Sequence, residues 1–484
     1  MSFRTNNFRV VAVGLALGLA TAPVTASELA SDSWPSFNIT MRASGVSFPA
    51  GNAFTDALEL VQDRFESEQP SNWWFTLTLN EPGVALGNGE NEVWFTSDSS
   101  ITTTATAFWW SSGSDRVEAD VVFNNGVSWT TSNAKTASIA YGGGGSPRWF
   151  EPTVIHEMGH VAGLLHEADE YNVMGQEWDH VTCNGSVLRS YLGEDAADGL
   201  VQKYGIWSAG GVEDVSVTAF KYLGASGEYS SHQLCEWTDT ASVPLSTSGS
   251  VDGQPRYVVA PGQSIRVQFT YENNGESTQG ANLGFYLSSN NFISTADQLI
   301  HSSSTTIARN SVFTLSTTVT IPTTAALGAA LNLGVIIDNG NAIGEVVENN
   351  NAAYFPILVE CATTPYATFF NAPPNPPSLS TSLFTVGDPW SITVDLNTTG
   401  HSAAFAFAYD NPVNIALGGG QRLLTFGPAE LLQVPAKSGP IANWNGILPN
   451  STTLCGYTLS IQAAHFGAIT PFALSNAIDV RIGD

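Results

Sequence analysis

Five residues in one short stretch of the chain have the types and the spacing that a catalytic metal ion requires. They are His156, Glu157, His160, Gly163 and His166, which give the pattern H-E-x-x-H-x-x-G-x-x-H. An α-helix turns once in about 3.6 residues, so His156 and His160 would project from one face, with Glu157 beside the first imidazole. Gly163 can take a positive φ, which would end the helix and turn the chain so that His166 reaches the same point. Three histidine ligands would leave the fourth zinc position open to water, as in catalytic zinc sites.

The alternative interpretation is a structural histidine cluster that holds no metal. An isolated H-E-x-x-H occurs by chance in helices, so the short pattern alone does not establish a metal site. The longer pattern fixes five positions in a chain with eight histidines, and a structural cluster would need neither the glutamate nor the glycine. The full pattern therefore favours a zinc site in which Glu157 is the general base.

The stretch resembles the zinc-binding motif of the metzincin peptidases, in which this long motif is followed by a turn containing a methionine. Here the methionine is Met174, within Tyr171-Asn172-Val173-Met174-Gly175. The resemblance implies that it forms an apolar floor beneath the histidines. Residues 118–124 and 192–205 further resemble the matrixin branch of that family, and the resemblance covers about residues 35–207.

The resemblance leaves several points open. Acidic loops bind calcium in this family, and Asp115 or Asp120 would contribute to a structural Ca²⁺ site here, although their spacing defines no ligand set. Matrixins are commonly inhibited by a cysteine in a pro-segment, but no cysteine precedes Cys183. A thiol switch is therefore excluded, and how premature cleavage is avoided stays open. His180 follows the methionine closely and receives no role from the sequence.

Length and composition predict several exported domains. With 484 residues, 12% of them charged, the chain is too long for one core, and its many Gly, Ser, Thr and Asn are typical of turn-rich β proteins. Residues 1–26 have the basic start, apolar core and small-residue end of a signal peptide. No later run reaches the about 18 apolar residues of a membrane helix. The sequence predicts a secreted or cell-surface protein without a membrane span.

The charge and the cysteines restrict the partners and the cross-links. A net charge of −27 argues against nucleic acid or an anionic membrane as a partner. Four cysteines in an exported chain predict two disulfides, for which three pairings exist. The pairs Cys183–Cys235 and Cys361–Cys455 are favoured because each bridge stays within or beside one domain, and four buried thiols are the alternative.

After residue 249 the sequence changes to short alternating runs bounded by Gly, Asn, Ser or Pro, which are typical of β-sandwiches. The strand Ser264 to Tyr271 and the ending Glu348-Asn349-Asn350-Asn351 resemble CARDB, a bacterial adhesion-related sandwich whose usual role is spacing or binding. The predicted division is a signal peptide (1–26), a catalytic domain (27–207), a linker (208–249), a CARDB-like sandwich (250–360) and a C-terminal sandwich (361–484). The predicted fold class is multidomain: an α+β metzincin-like zinc peptidase domain followed by two all-β, Ig-like sandwiches.

Taken together, the motif and the resemblance predict a secreted zinc metalloendopeptidase. Zinc on the three histidines would activate water, and Glu157 would accept the water's proton. The expected partners are a protein or peptide substrate and, through the C-terminal domains, a cell-surface or extracellular polymer. The alternative is a non-catalytic adhesin whose peptidase-like domain only binds. Loss of the glutamate or of a ligand would favour that alternative, and all four residues are intact.

Overall fold

The computed structural model of the chain describes residues 28–135, 146–166, 173–175, 180–207, 211–221, 233–361, 363, 365–428, 430–467 and 472–483. The predicted signal peptide and residues 171–172 of the predicted methionine turn lie outside these ranges. Among the described residues, no helix has both the length and the apolarity that crossing a membrane requires.

All three α-helices of the described residues lie before residue 207, among nine strands, and the rest of the described chain forms strands and two short 3-10 helices, Gly418–Gly420 and Thr452–Leu454. The helices are α1 (Ala53–Ser67), α2 (Phe150–Ala162) and α3 (Glu194–Tyr204). The first nine strands are β1 (Asn38–Ser44), β2 (Trp74–Glu81), β3 (Glu92–Thr96), β4 (Ala105–Ser112), β5 (Asp115–Asn124), β6 (Trp129–Thr130), β7 (Arg148–Trp149), β8 (Val181–Cys183) and β9 (Leu188–Ser190). The next ten are β10 (Val215–Thr218), β11 (Thr238–Asp239), β12 (Thr247–Val251), β13 (Gln254–Val259), β14 (Ser264–Asn273), β15 (Gln279–Ser288), β16 (Gln298–Ile307), β17 (Ser311–Thr320), β18 (Ala330–Ile337) and β19 (Ala352–Val359). The last eleven are β20 (Tyr366–Phe370), β21 (Leu379–Thr381), β22 (Pro389–Asp395), β23 (Ala403–Tyr409), β24 (Pro412–Ala416), β25 (Arg422–Thr425), β26 (Glu430–Gln433), β27 (Lys437–Ser438), β28 (Ile441–Ile447), β29 (Thr458–Phe466) and β30 (Ala473–Arg481).

The N-terminal part is built on a five-stranded sheet in the order β2-β1-β3-β5-β4. β1, β2, β3 and β5 are parallel, and β4 is antiparallel at one edge. Asn52 caps the N-terminus of helix α1, and its side chain accepts a hydrogen bond from Phe54 N at 2.8 Å. The helix buries one apolar stripe that includes Val61 and Phe65. Helix α2 packs against the sheet, with the rings of Phe123 and Phe150 4.7 Å apart. The sheet thus supports the helix that carries the histidines.

The fold class predicted from the sequence is wrong. Strands make up 48% and helices 11% of the structure, and the described residues contain the three helices α1, α2 and α3. The chain is mostly β with many sheets, as expected of β-sandwich domains, and it does not have the α+β metzincin-like domain that was predicted. The reason is that helical periodicity is confined to three segments, whereas the Gly-, Ser-, Thr- and Asn-rich remainder forms many short strands.

Two packed sheets form the middle of the chain. One has the order β10-β14-β11 with β17 also paired to β14, and the other has the order β12-β13-β19-β18-β15-β16. Aromatic rings fill the space between them, with Trp237 stacked on Tyr257 at 4.9 Å and in edge contact with Phe355 at 5.1 Å. Residues 208–249, predicted as a linker, contribute β10 and β11, which pair with β14.

The C-terminal part is again built from sheets. Its larger sheet has the order β20-β30-β29-β23-β26, and a smaller one has the order β21-β22-β28. Along β23, Ala404, Ala406 and Ala408 are fully buried, as the alternation of the sequence predicts for a strand with one face on the core. This core is continuous with that of the middle sandwich.

Neither predicted disulfide is present among the four cysteines, all of which the structure describes. The thiol of Cys183 donates to Val187 O at 3.4 Å, and that of Cys235 donates to Phe220 O at 3.4 Å. Both thiols are buried as small apolar groups in separate surroundings. Cys361 and Cys455 lie on the wall of one cavity. The two disulfides were predicted from the number of cysteines and from their positions in the predicted domains. Neither of these shows which groups surround each thiol in the folded chain.

Candidate metal centre

Helix α2 carries the first two predicted ligands. His156 and His160 lie one turn apart near its C-terminal end, with ring centroids 4.7 Å apart. The helix ends at Gly163, which takes a left-handed conformation with φ of 97°. The backbone N–H of Gly163 donates to His160 O, and that of Leu164 donates to Gly159 O, both at 2.9 Å. This glycine turn reverses the chain, as the spacing predicts.

The turn brings His166 against the other two histidines. His166 Nε2 lies 3.2 Å from His156 Nε2 and 3.1 Å from His160 Nε2. In the part of the chain that the structure describes, these three residues are the one group of His, Cys, Asp or Glu side chains close enough to share a metal ion. His166 is exposed and the other two are half-buried, so the group opens to solvent on the His166 side.

Backbone carbonyls fix the orientation of two of the rings. His156 Nδ1 donates to Val173 O at 2.7 Å, and His160 Nδ1 donates to Leu164 O at 2.8 Å. A carbonyl oxygen can only accept, so each Nδ1 carries the ring proton and each Nε2 presents a lone pair. Carbonyl partners of this kind commonly orient histidine ligands.

The nitrogen positions agree with the geometry of a tetrahedral zinc ion. With Zn–N bonds of about 2.0–2.1 Å and tetrahedral angles, two ligand nitrogens are about 3.3 Å apart. The observed separations of 3.1 and 3.2 Å are close to this value. Since His156 Nε2 and His160 Nε2 both present lone pairs, a proton on His166 Nε2 could satisfy only one of them. A cation satisfies all three, so the donor set fits zinc.

The protonation states also suit a metal. Burial, reinforced by the neighbouring His160, holds the pKa of His156 well below its ordinary value of 6.5. Burial lowers the pKa of His160 to about 4, against the opposing hydrogen bond to Leu164. Burial also lowers the pKa of His166. At pH 7 the imidazoles are therefore neutral, which is the form that binds metal ions.

Glu157 lies beside the histidines in a buried position. Its side chain is 5% exposed, and Oε2 has no hydrogen-bond partner among the described residues. Burial raises the pKa of Glu157 to about 8, although the backbone N–H of Ala107 donates to the carboxylate and opposes this shift. Ala107 belongs to β4, so the carboxylate lies between the histidine helix and the edge of the sheet. A buried carboxylate with one unengaged oxygen is suited to accept a proton.

Met174 packs beneath the helix that carries the histidines. Its side chain is 1% exposed, and a Cβ added at Gly159 would collide with Met174 Sδ. The residue just before it, Val173, supplies the carbonyl that orients His156. Gly159, an unassigned position inside the motif, is therefore needed for the close approach of methionine and helix.

Side chains from distant segments satisfy the carbonyls at the end of helix α2, and the sequence did not reveal them. Trp34 Nε1 donates to Val161 O at 2.7 Å, and the hydroxyl of Tyr204 donates to Ala162 O at 2.6 Å. Arg116 Nη1 donates to His160 O and, at 2.8 Å, to Val161 O. Among these groups, only Tyr204 lies in one of the two segments that resemble the matrixin branch, residues 192–205, most of which form α3.

The two residues considered for calcium do not form a ligand set. Asp115 is exposed at the start of β5, whereas Asp120 is fully buried farther along the strand. Both oxygens of Asp120 accept backbone hydrogen bonds, from Glu92 N at 3.0 Å and from Gly87 N at 3.2 Å. Burial raises the pKa of Asp120 to about 7, against these two bonds. The carboxylate holds the loop before β3.

Comparison with known proteins concerns the middle of the chain. Residues 250–355 match the family model of CARDB. These residues form a CARDB domain. The domain begins within β12 and ends within β19, and β10 and β11 extend one of its sheets. No curated protein matches the chain.

Solved structures give only distant likenesses. One is a crystal structure of a CARDB domain from Pyrococcus furiosus in complex with di-metal ions, at 14% identity, covering 31% of this chain and 89% of that chain with a TM-score of 0.19. Another is an Escherichia coli alpha-2-macroglobulin activated by porcine elastase, at 8% identity, covering 52% of this chain and 20% of that chain with a TM-score of 0.14. Likenesses at these scores carry no argument about this chain.

Proposed function

We propose that the chain is a zinc-dependent endopeptidase that hydrolyses peptide bonds of proteins outside the cell. The observation that carries this proposal is that His166 Nε2 lies within 3.2 Å of both His156 Nε2 and His160 Nε2, beside the buried carboxylate of Glu157. The likeness of the motif to that of the metzincin peptidases, with Met174 beneath the helix, adds support from the sequence.

Each of the four polar side chains has a definite role in this proposal. The three histidines would hold the zinc ion through Nε2, and no fourth ligand side chain joins them among the described residues. Zinc held there would supply an activated water and an electrostatic partner for the attacked carbonyl oxygen. Glu157 would accept a proton at Oε2 and later deliver it to the leaving nitrogen. A neighbouring dication favours the ionised form of Glu157 and so offsets the effect of its burial.

The edge of the N-terminal sheet supports a peptide as the substrate. β4 pairs with β5 on one side and, within the described residues, with no strand on the other. Ala107 in β4 donates its N–H to Glu157, so the open edge runs beside the proposed base. An extended peptide that added to this edge would carry its backbone carbonyls past the histidines.

The remainder of the chain is consistent with an accessory role. The CARDB domain and the C-terminal sandwich would position the enzyme or bind a cell-surface or extracellular polymer. The net charge of −27 suits solubility outside the cell. The alternative function is a non-catalytic adhesin that keeps the histidine site for binding alone, and the intact Glu157 argues against it.

Cleavage of an unstructured protein by the purified mature chain tests the proposal. We expect the chain to cleave casein or gelatin, to lose this activity with a zinc chelator and to regain it when zinc is added back. A chain that binds zinc but cleaves neither protein would favour the adhesin. A chain with chelator-resistant cleavage would place the reaction at another site.

A further inference from the structure

The segment at residues 28–32 lies against the loop that leads to His166. Leu165 N donates to Glu28 O at 2.8 Å, and Ala30 N donates to Gly163 O at 2.9 Å. Leu29 and Leu164 form an antiparallel bridge between these two bonds. The residue after Leu165 is His166 itself, so this pairing fixes the backbone immediately before the third histidine. We call residues 28–32 the N-terminal clasp.

The ion pair of Asp32 with Arg116 attaches the clasp to the C-terminal end of helix α2. Two parallel hydrogen bonds of 3.0 Å join the Arg116 guanidinium to Asp32, from Nε to Oδ2 and from Nη2 to Oδ1. The third nitrogen, Nη1, donates to His160 O and Val161 O. Arg116 is 1% exposed and Asp32 is 5% exposed, so this fork is shielded from water.

Lys203 holds the clasp from the opposite side. Its Nζ donates to Ala30 O at 2.8 Å and to Asp32 O at 2.5 Å. Its aliphatic chain passes over the glycine turn, and a Cβ added at Gly163 would lie 2.5 Å from Lys203 Cε. The clasp is therefore attached to α2, to α3 and to β5 at the point where the histidine loop begins.

We propose that the N-terminal clasp is a positioning element of the metal centre and that Asp32, Arg116 and Lys203 are positioning residues. The clasp sets the backbone before His166, and Arg116 sets the helix end that carries His160. Leu164, which pairs with the clasp, also supplies the carbonyl that orients the His160 ring. The three nitrogens converge in the observed way only while the clasp is docked.

This inference rests on the proposed zinc function and adds regulation to it. Zinc retention would depend on the docking of residues 28–32. Displacement of the clasp would open the site without any covalent change.

The test compares Asp32→Asn with Glu59→Gln, a matched control on the exposed face of α1. Asn keeps the shape of Asp but loses the charge that holds Arg116. Competition with a chromogenic chelator measures zinc affinity, and the visible absorption of the Co²⁺-substituted protein reports the ligand geometry. Loss of a direct partner of a ligand side chain weakens metal binding by about 10- to 100-fold, and because Asp32 acts only through Arg116 and the backbone, its loss should weaken zinc binding by about 10-fold. We expect that loss and an altered Co²⁺ spectrum for Asp32→Asn, and neither change for Glu59→Gln.

Lys203→Met is the second variant and keeps the Asp32–Arg116 fork. It should also weaken zinc binding. If Asp32→Asn does not fold, the zinc affinity of Lys203→Met alone tests whether the clasp positions the histidines. A purely structural role would lower the unfolding temperature of the zinc-free protein and leave zinc affinity and the Co²⁺ spectrum of the folded variants unchanged. That result would overturn the proposal.

The two proposals fail in different ways. Wild-type protein that binds zinc tightly but cleaves no protein would refute the peptidase and leave the role of the clasp measurable. Wild-type protein that binds zinc, together with Asp32→Asn and Lys203→Met variants that bind it equally well, would refute the clasp and leave the peptidase intact. Wild-type protein that binds no zinc would overturn both.

Discussion

At the scale of single residues, the chemistry of the site depends on where each proton lies. Val173 O and Leu164 O accept the Nδ1 protons of His156 and His160, which leaves both Nε2 atoms as lone pairs. The Ala107 N–H donates to the Glu157 carboxylate, whose Oε2 has no partner among the described residues. Backbone groups thus leave the two Nε2 lone pairs and one carboxylate oxygen available for the roles of ligand and base that the proposed function gives them.

The first prediction concerns Glu157→Gln. The amide cannot accept the water's proton, whereas the three histidines are unchanged, so zinc content should stay at the wild-type value. Turnover should fall by about 10²–10⁴-fold, the contribution of a positioned acid–base group. Elemental analysis and casein cleavage measure the two quantities, and Glu59→Gln serves as the control. Cleavage by Glu157→Gln at the wild-type rate would remove this residue from the mechanism.

The second prediction concerns Gly159→Ala. Alanine favours a helix over glycine by about 1 kcal/mol, but the added Cβ would collide with buried Met174 Sδ. Overpacking of a filled core costs about 1–3 kcal/mol, so the collision should outweigh the gain. We expect a lower free energy of unfolding in urea and weaker zinc binding. A more stable variant would show that Met174 can move away without cost.

At the scale of secondary-structure elements, the sequence predicts the features that depend on one stretch of the chain and does not predict the contacts between distant stretches. The helix over His156 and His160 and its end at Gly163 follow from residues within one stretch, and the sequence predicts both. Arg116 reaches the same helix end from β5 and Asp32 reaches it from the clasp. Their pairing depends on packing that no spacing reveals. The fold class was wrong for a related reason, since a short helical motif says nothing about how much of the chain forms strands.

The third prediction concerns the end of helix α2. The last carbonyls of a helix have no partner within it, and the Tyr204 hydroxyl from α3 donates to Ala162 O at 2.6 Å. Tyr204→Phe removes this donor in a position that is 5% exposed. Leaving the buried carbonyl unsatisfied should lower the free energy of unfolding by about 1–3 kcal/mol. Urea unfolding followed by tryptophan fluorescence measures the change. Stability equal to that of the wild type would mean that another donor replaces the hydroxyl.

At the scale of the whole molecule, buried polar contacts join the N-terminal part to the CARDB domain. His180, which received no role from the sequence, donates from Nε2 to Glu272 Oε1 at 2.9 Å, and both side chains are fully buried. Tyr191 lies in the same cluster, with its ring 4.2 Å from that of His180. Elsewhere, Lys135 donates to Gln254 and to Tyr354 at 2.6 and 2.7 Å. These contacts tie segments on both sides of the histidine helix α2 to the sandwich.

The last prediction therefore concerns Glu272→Gln, which keeps the shape of the side chain and removes its charge. A hydrogen bond to a charged group contributes about 1.5–3 kcal/mol, and the amide oxygen can still accept part of that bond. We expect the free energy of unfolding to fall by about 1–2 kcal/mol at pH 7. Glu236→Gln, on an exposed site of the same sandwich, should change it by less than about 0.5 kcal/mol. If both variants matched the wild type, the buried pair would not join the two parts. A selective loss in Glu272→Gln would show that the CARDB domain stabilises the region that carries the histidines.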